Sequence, residues 1–337
     1  MAASETRRFE PGSLIAGTRY RVVRCVGRGG MGCVYEVEQV ELGRHFVLKA
    51  LLPEHAARDD LVVRLQQESR ALGRLRHPNI VDVTDAGRTA DGAPFFVMEL
   101  LRGETLRARL RRERRLPVGA ALSVVIEVLE GLAAAHDLGI VHRDVKPGNV
   151  FLLETGRIKL LDFGVAKLAA GSAAVTGDGV TIGTPRYLAP EQVRGGPIDG
   201  RADLYSVGLL LFEMVTGQGP FDADRNPDAL LLAHLTASPP PLGGVVPGVD
   251  PALARLVERL LAKQPAERPS SARTVASALR SILSRAVLAD GPPPQASALH
   301  GGPPEPPRWE DGERAPRERC PVLVTEVIQG VGVHRPL

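Results

Sequence analysis

Cysteine is scarce in this chain. Its three copies, Cys25, Cys33 and Cys320, are odd in number and widely spaced. They neither staple a secreted fold nor form a CxxC metal site. Charge of one sign is not in excess either: 42 Lys and Arg face 39 Asp and Glu, a net +3. That balance gives no reason to make nucleic acid an obligatory partner. No apolar run approaches the ~20 residues that a membrane helix needs. The polar start, residues 1–8, has no apolar stretch of a signal peptide behind it. The expectation is a reduced, soluble, cytoplasmic protein with no membrane span and no nucleic-acid partner. Lysine is the other shortage. Only five occur (Lys49, Lys146, Lys159, Lys167 and Lys263), leaving 37 arginines. A chain so biased keeps lysine mainly where a compact ammonium, not a planar fork, is required.

What remains is ordinary globular material, 44% apolar and 24% charged over 337 residues, enough for about two domains at ~150 residues each. Composition shifts after about residue 285. Residues 291–337 hold 10 Pro and 6 Gly, with Pro292-Pro-Pro294 and a second proline cluster at 303–307. Such a segment favours polyproline II and opposes a packed core, so it is expected to be a disordered tail. In the first third, Tyr20–Val26, Cys33–Glu38, His45–Leu51 and Pro94–Leu100 read as strands. A helical stretch at 60–75 separates the last two. Beyond residue 104 the pattern turns helical. Leu122, Val125, Ile126, Leu129, Leu132, Ala133 and His136 recur at helical spacing, and residues 204–216 and 251–262 read as further helices. The fold class is α+β, a small β-rich lobe followed by a larger helical one.

Val26-Gly27-Arg28-Gly29-Gly30-Met31-Gly32-Cys33-Val34 contains G-x-G-x-x-G. In a dinucleotide-binding unit the third glycine opens a helix. Here β formers follow it, so the glycines belong in a hairpin between strands. Backbone amides without Cβ obstruction suit a triphosphate. On this segment alone a plain hairpin requiring positive φ explains the glycines equally well.

The second half is denser. His142-Arg143-Asp144-Val145-Lys146-Pro147-Gly148-Asn149 is followed by Asp162-Phe163-Gly164, and later by Ala189-Pro190-Glu191. Together with the glycine turn and Lys49, this order and spacing resembles the eukaryotic-like serine/threonine protein kinases, most closely their bacterial branch. The resemblance covers about Tyr20 to Leu283. It implies a bilobal kinase fold with an N-terminal extension (1–15), an N-lobe carrying helix αC (16–98), a hinge (99–103), a helical C-lobe (104–284) and the tail (285–337).

The roles it implies follow what phosphoryl transfer demands, which is positioning and charge neutralisation. Lys49 would hold the α- and β-phosphates of ATP, with Glu68 as its partner on helix αC. Asp144 would act as base toward the acceptor hydroxyl, and Lys146 would neutralise the γ-phosphate. Asn149 and Asp162 offer hard oxygen ligands for Mg²⁺ or Mn²⁺. Val26 to Val34, Val47, Met98 as gatekeeper, and the Glu99 and Leu101 backbone would surround the nucleotide. His142 is assigned to packing against Phe163, Asp203 to bracing the catalytic loop, and Glu191 with Arg268 to a buried ion pair.

Two positions depart from the family pattern. Val47 stands where a small alanine is usual, which tightens the roof over adenine, and Gly148 replaces a commoner side chain. Lys146 and Gly183-Thr184 imply protein substrates with Ser or Thr acceptors. Arg143 implies a phosphate site for the activation loop, with Thr176 as the principal autophosphorylation site, Thr181 secondary and Asp178 a built-in acid. Arginines 102, 107, 109, 111, 112, 114 and 115 form a basic cluster. With Leu106 and Leu110 buried, this reads first as a solvated helix face, and as a dock for an acidic partner second. The competing class is a pseudokinase scaffold, disfavoured because Lys49, Asp144 and Asp162 are all retained. A small-molecule phosphotransferase leaves Ala189-Pro-Glu191 without a role.

Overall fold

The computed structural model describes residues 9–28, 32–51, 73, 75–163, 185–222 and 226–289. Five strands, β1 (Tyr20–Arg28), β2 (Gly32–Gln39), β3 (Arg44–Leu51), β4 (Val83–Arg88) and β5 (Pro94–Glu99), form an antiparallel sheet in the order β1-β2-β3-β5-β4. The β-branched and aromatic residues of β2 and β3 fill it from both sides, and Tyr35, Val37 and Leu48 are fully enclosed. The β1–β2 pairing makes the glycine turn a hairpin, as expected. Gly32 is required by close approach: a Cβ there would lie 2.5 Å from Ala50 O on β3. Strand β4 was not legible in the sequence, because only Val83 and Thr84 of Val83-Thr-Asp-Ala-Gly-Arg88 are β formers and the segment is largely exposed. It pairs with β5 at the sheet edge.

The second lobe opens with β6 (Gly103–Thr105) and α1 (Leu106–Glu113), followed by α2 (Val118–Asp137). Strands β7 (Val150–Leu153) and β8 (Ile158–Leu160) join β6 in a three-stranded sheet. Six further helices complete the described chain: α3 (Pro190–Arg194), α4 (Gly200–Thr216), α5 (Pro227–Thr236), α6 (Leu242–Val245), α7 (Pro251–Leu260) and α8 (Ala272–Ala289). Leu122, Val125, Ile126, Leu129, Leu132 and Ala133 of α2 are buried in one core with α4, α7 and α8. The lobes are stitched at residues 79–81, where Leu160 N donates to Asn79 O (2.8 Å) and Val81 N to Leu160 O (3.0 Å).

Three observations bear on the expected boundaries and spans. Helix α2 has 20 residues and a mean hydropathy of 1.8 over its most apolar window, enough by length and composition to cross a membrane. Its Glu127 and Glu130, and its position in the C-lobe core, mark it as a buried helix. Residues ahead of position 16 already pack on the N-lobe: Ile15 is 1% exposed in its core and the Phe9 ring lies 5.3 Å from that of Tyr35. Phe9 and Ile15, with Glu10-Pro-Gly-Ser-Leu14 between them, carry no helical or strand periodicity to read. At the other end, α8 runs to Ala289, five residues beyond the expected boundary. The helical stretch at 60–75, apart from residues 73 and 75, and the tail at 291–337 lie outside the described residues.

One buried group is expected to make the C-lobe sensitive to acid. His234 of α5 is enclosed by the Phe221 and Tyr205 rings, and its Nδ1 shares a hydrogen bond with the Tyr205 hydroxyl (3.1 Å). Burial, reinforced by the Lys263 ammonium, lowers its pKa to about 4. Between pH 6.5 and 4 the unfolded chain therefore takes up a proton that the folded chain refuses. This contribution is complete above pH 6.5 and is lost as pH falls, by about 3 kcal/mol at pH 4. Urea melts at pH 7 and pH 4.5 are expected to show this loss, and His234→Gln to flatten it. Equal slopes for the two proteins would assign the acid sensitivity elsewhere.

Candidate active site

The loop 142–149 is held from three directions. Asp203, 1% exposed at the start of α4, accepts the backbone N–H of His142 on Oδ2 (2.8 Å) and that of Arg143 on Oδ1 (2.7 Å). His136 Nε2 meets the same Oδ2 at 2.8 Å. Gln192 Nε2 donates to Arg143 O at 2.9 Å. These bonds hold Arg143 at φ 63°, a left-handed conformation that a non-glycine residue rarely adopts.

His142 is wholly buried, with its ring 4.4 Å from that of Phe163. Its Nε2 faces Leu161 O (2.9 Å), while its Nδ1 accepts Asp144 N–H (3.3 Å). This pattern requires the neutral Nε2–H tautomer, and burial lowers the pKa in the same sense. The expected packing role therefore stands in the geometry.

Asp144 comes out of this loop into the cleft. Its Oδ2 receives Lys146 Nζ at 2.9 Å and Asn149 Nδ2 at 3.0 Å. Asn149 Nδ2 also donates to Asp144 O (2.8 Å). With its amide nitrogen so committed, Asn149 keeps its amide oxygen as the available ligand atom. Asp162 follows β8 at φ 35°, and its Oδ1 lies 2.8 Å from Lys49 Nζ on β3. Residues 113 apart in sequence thus meet across the cleft. Glu68, the expected partner of Lys49, lies outside the described residues, as do Gly29, Gly30, Met31, Gly164, Thr176, Asp178, Thr181 and Thr184.

Above and below this polar group runs one apolar cluster. Val26, Val34, Val47 and Met98 come from the sheet, Leu101 from the hinge, and Phe151 and Leu161 from the C-lobe. Arg28, Gly32 and Cys33 lie in the paired strands of the hairpin. Glu99 is anchored through its side chain, whose Oε1 accepts from Lys159 Nζ (2.6 Å) and Asp82 N (2.8 Å). Away from the cleft, Arg268 makes a two-bonded pair with Glu191 (2.7 and 2.9 Å), and its own side chain is 0% exposed.

A cation, a carboxylate that could act as base, a second cation and an Asp–Asn oxygen pair therefore share one cleft under an apolar roof. Residues 20–280 match the family model described as the protein kinase domain. The chain belongs to the protein kinase family. The kinase domain is 40% identical over 273 residues to the serine/threonine-protein kinase pkn3 of Myxococcus xanthus, covering 78% of this chain and 50% of that one. It is 40% identical over 293 residues to the serine/threonine-protein kinase PknL of Mycobacterium tuberculosis, covering 86% and 72%. In three dimensions it matches the crystal structure of the Mycobacterium tuberculosis PknI kinase domain with a TM-score of 0.65 at 33% identity, covering 81% of this chain and 99% of that one. The chain spans half the length of pkn3, and 39% of Pkn1 from the same organism.

Sequence reasoning missed three residues of the kinase site. Phe151 sits under the cleft with no exposure, but in the sequence it is one apolar residue among several. His136 reads as part of the α2 stripe, yet it binds Asp203. Lys159 pins the hinge through Glu99 and also donates to Ile80 O (3.1 Å). The shortage of lysine was a signal for it that motif matching passed over.

Proposed function

We propose that this protein kinase transfers the γ-phosphate of ATP, with Mg²⁺, to Ser or Thr hydroxyls of proteins. The observation that carries the reading is the convergence of Lys49, Asp144, Lys146, Asn149 and Asp162 on one cleft. The curated relatives named as serine/threonine-protein kinases support it.

The donor set suits the cofactors. A hard divalent ion bound mainly through substrate phosphates needs few protein oxygens, and Asp162 with Asn149 would supply them. Among the described residues there is no cluster of three or more His, Cys, Asp or Glu that would make a protein-only metal cage. Mg²⁺, when bound, neutralises charge on the phosphates. Lys49 orients the α- and β-phosphates, Lys146 lies beside the transferring group, and Asp144 accepts or orients the hydroxyl proton. Arg143 has Nε and Nη1 buried without a hydrogen-bond partner among the described residues. Unpaired buried donors of this kind favour an anion, which supports a phosphate on the activation loop, at Thr176 first and Thr181 second.

The test is autophosphorylation and peptide transfer with ATP and Mg²⁺. Lys49→Met is expected to abolish both while the far-UV spectrum and melting temperature hold. Mass spectrometry of the wild-type sample is expected to place phosphate on Thr176. Turnover of the variant within a few-fold of wild type would overturn the assigned role of Lys49. Nucleotide binding by wild type without any transfer would favour the scaffold reading.

A further inference from the structure

Residues 102–115, which include helix α1, hold seven arginines and two glutamates. Leu106 and Leu110 are the helix's buried face, as expected. The rest does not behave as a uniformly solvated basic surface. Both carboxylates are already occupied: Glu104 takes two bonds from Arg112 (2.6 and 2.8 Å), and Glu113 pairs with Arg109 (2.7 Å) and Arg112 (3.3 Å). Arg107 stands apart from these pairs. It is half-buried, and no carboxylate among the described residues pairs with it.

Its position is defined by Gly148. A methyl group added at Gly148 would lie 3.4 Å from Arg107 Nε and 3.6 Å from Nη2. The turn Pro147–Asn149 packs directly on α1. A guanidinium thus packs against the loop that carries Asp144. With no side chain at position 148 the guanidinium packs directly on this buried turn, and Arg107 as a whole keeps partial exposure.

We infer that Arg107 is a specificity-determining residue, selecting protein substrates with an aspartate or glutamate close to the phosphoacceptor. The inference rests on the phosphotransfer reading above and names the substrate class for that site. A carboxylate presented there would meet a preoriented guanidinium fork. A basic side chain would meet a positive charge that no carboxylate among the described residues offsets.

Three peptides test this on the full chain: a neutral Ser/Thr peptide, the same peptide with flanking Glu, and the same with flanking Lys. Wild type is expected to favour the acidic over the neutral peptide by about fivefold in kcat/KM, mostly through KM, as one partly exposed ion pair gives. Arg107→Ala should bring that ratio toward one, and Arg107→Glu should reverse it so that the basic peptide leads. Gly148→Glu, which sets a carboxylate beside the guanidinium, should erase the acidic preference with Arg107 still present. An equal fall for all three peptides in Arg107→Glu would make Arg107 a packing residue and overturn the inference. So would an undiminished acidic preference in Arg107→Glu. If wild type transfers no more phosphate to any peptide than Asp144→Asn does, the phosphotransfer reading itself falls, and this inference with it.

Discussion

Asp144→Asn is expected to lower phosphoryl transfer by about 10²–10⁴-fold, the range a positioned acid–base group contributes, while the folded loop survives. Geometry explains why the two effects separate. Lys146 Nζ and Asn149 Nδ2 both approach the same carboxylate oxygen, Oδ2. An amide oxygen placed there keeps both bonds and removes only the charge and the basicity. Asp203 offers the contrast. Its two oxygens accept separate backbone N–H groups from His142 and Arg143. An amide there turns an NH₂ against one of them, so Asp203→Asn should lose activity together with stability. Steady-state kinetics beside thermal melts distinguish the pair. An Asp144→Asn enzyme retaining more than about a tenth of wild-type kcat would remove Asp144 from the acid–base role.

The largest effect on stability is expected at Arg268. Its side chain has no exposure, and its partner Glu191 has almost none. Arg268→Met would leave the Glu191 carboxylate buried without a counter-ion, which costs on the order of 3–5 kcal/mol. For a domain of this size that is a fall in melting temperature of roughly 10 °C. The guanidinium also donates to Ala262 O (2.8 Å), Arg201 O (2.9 Å) and Lys263 O (3.2 Å). The double variant Arg268→Met with Glu191→Leu should therefore recover only part of the loss. Full recovery would trace the whole cost to the stranded charge. No recovery would trace it to the carbonyls and to the lost stacking on Tyr205, whose ring centre lies 4.9 Å from the guanidinium.

The site was more legible in the sequence than the fold around it. Asp144, Lys146, Asn149 and Asp162 have fixed spacings because one short loop and one strand end deliver them. Chemistry at a point leaves a local pattern. The pocket floor at Phe151 and the hinge anchor at Lys159 have no such pattern, since their importance comes from residues far away in the chain. Strand β4 was invisible for another reason: an exposed edge strand is fixed by its pairing with β5 and not by its own propensity. The arginine cluster shows the limit most clearly. Composition made its residues equivalent, and only the approach of Arg107 to Gly148 set one of them apart.

The brace at Asp203 bears on the order in which the chain becomes competent during synthesis. The catalytic loop lies some 60 residues ahead of the carboxylate that shapes it. Arg268, which closes the C-lobe on Glu191, comes 77 residues after that glutamate. Translation proceeds at about 5–20 residues per second and domains fold as units. For several seconds a nascent chain would carry every catalytic side chain but lack the partner that holds Arg143 in its left-handed turn. A ribosome-bound fragment ending before α4 would then hold the full set of motifs with no fixed geometry among them. Competence would arrive late, with the last helices, so that an incomplete kinase is also a silent one.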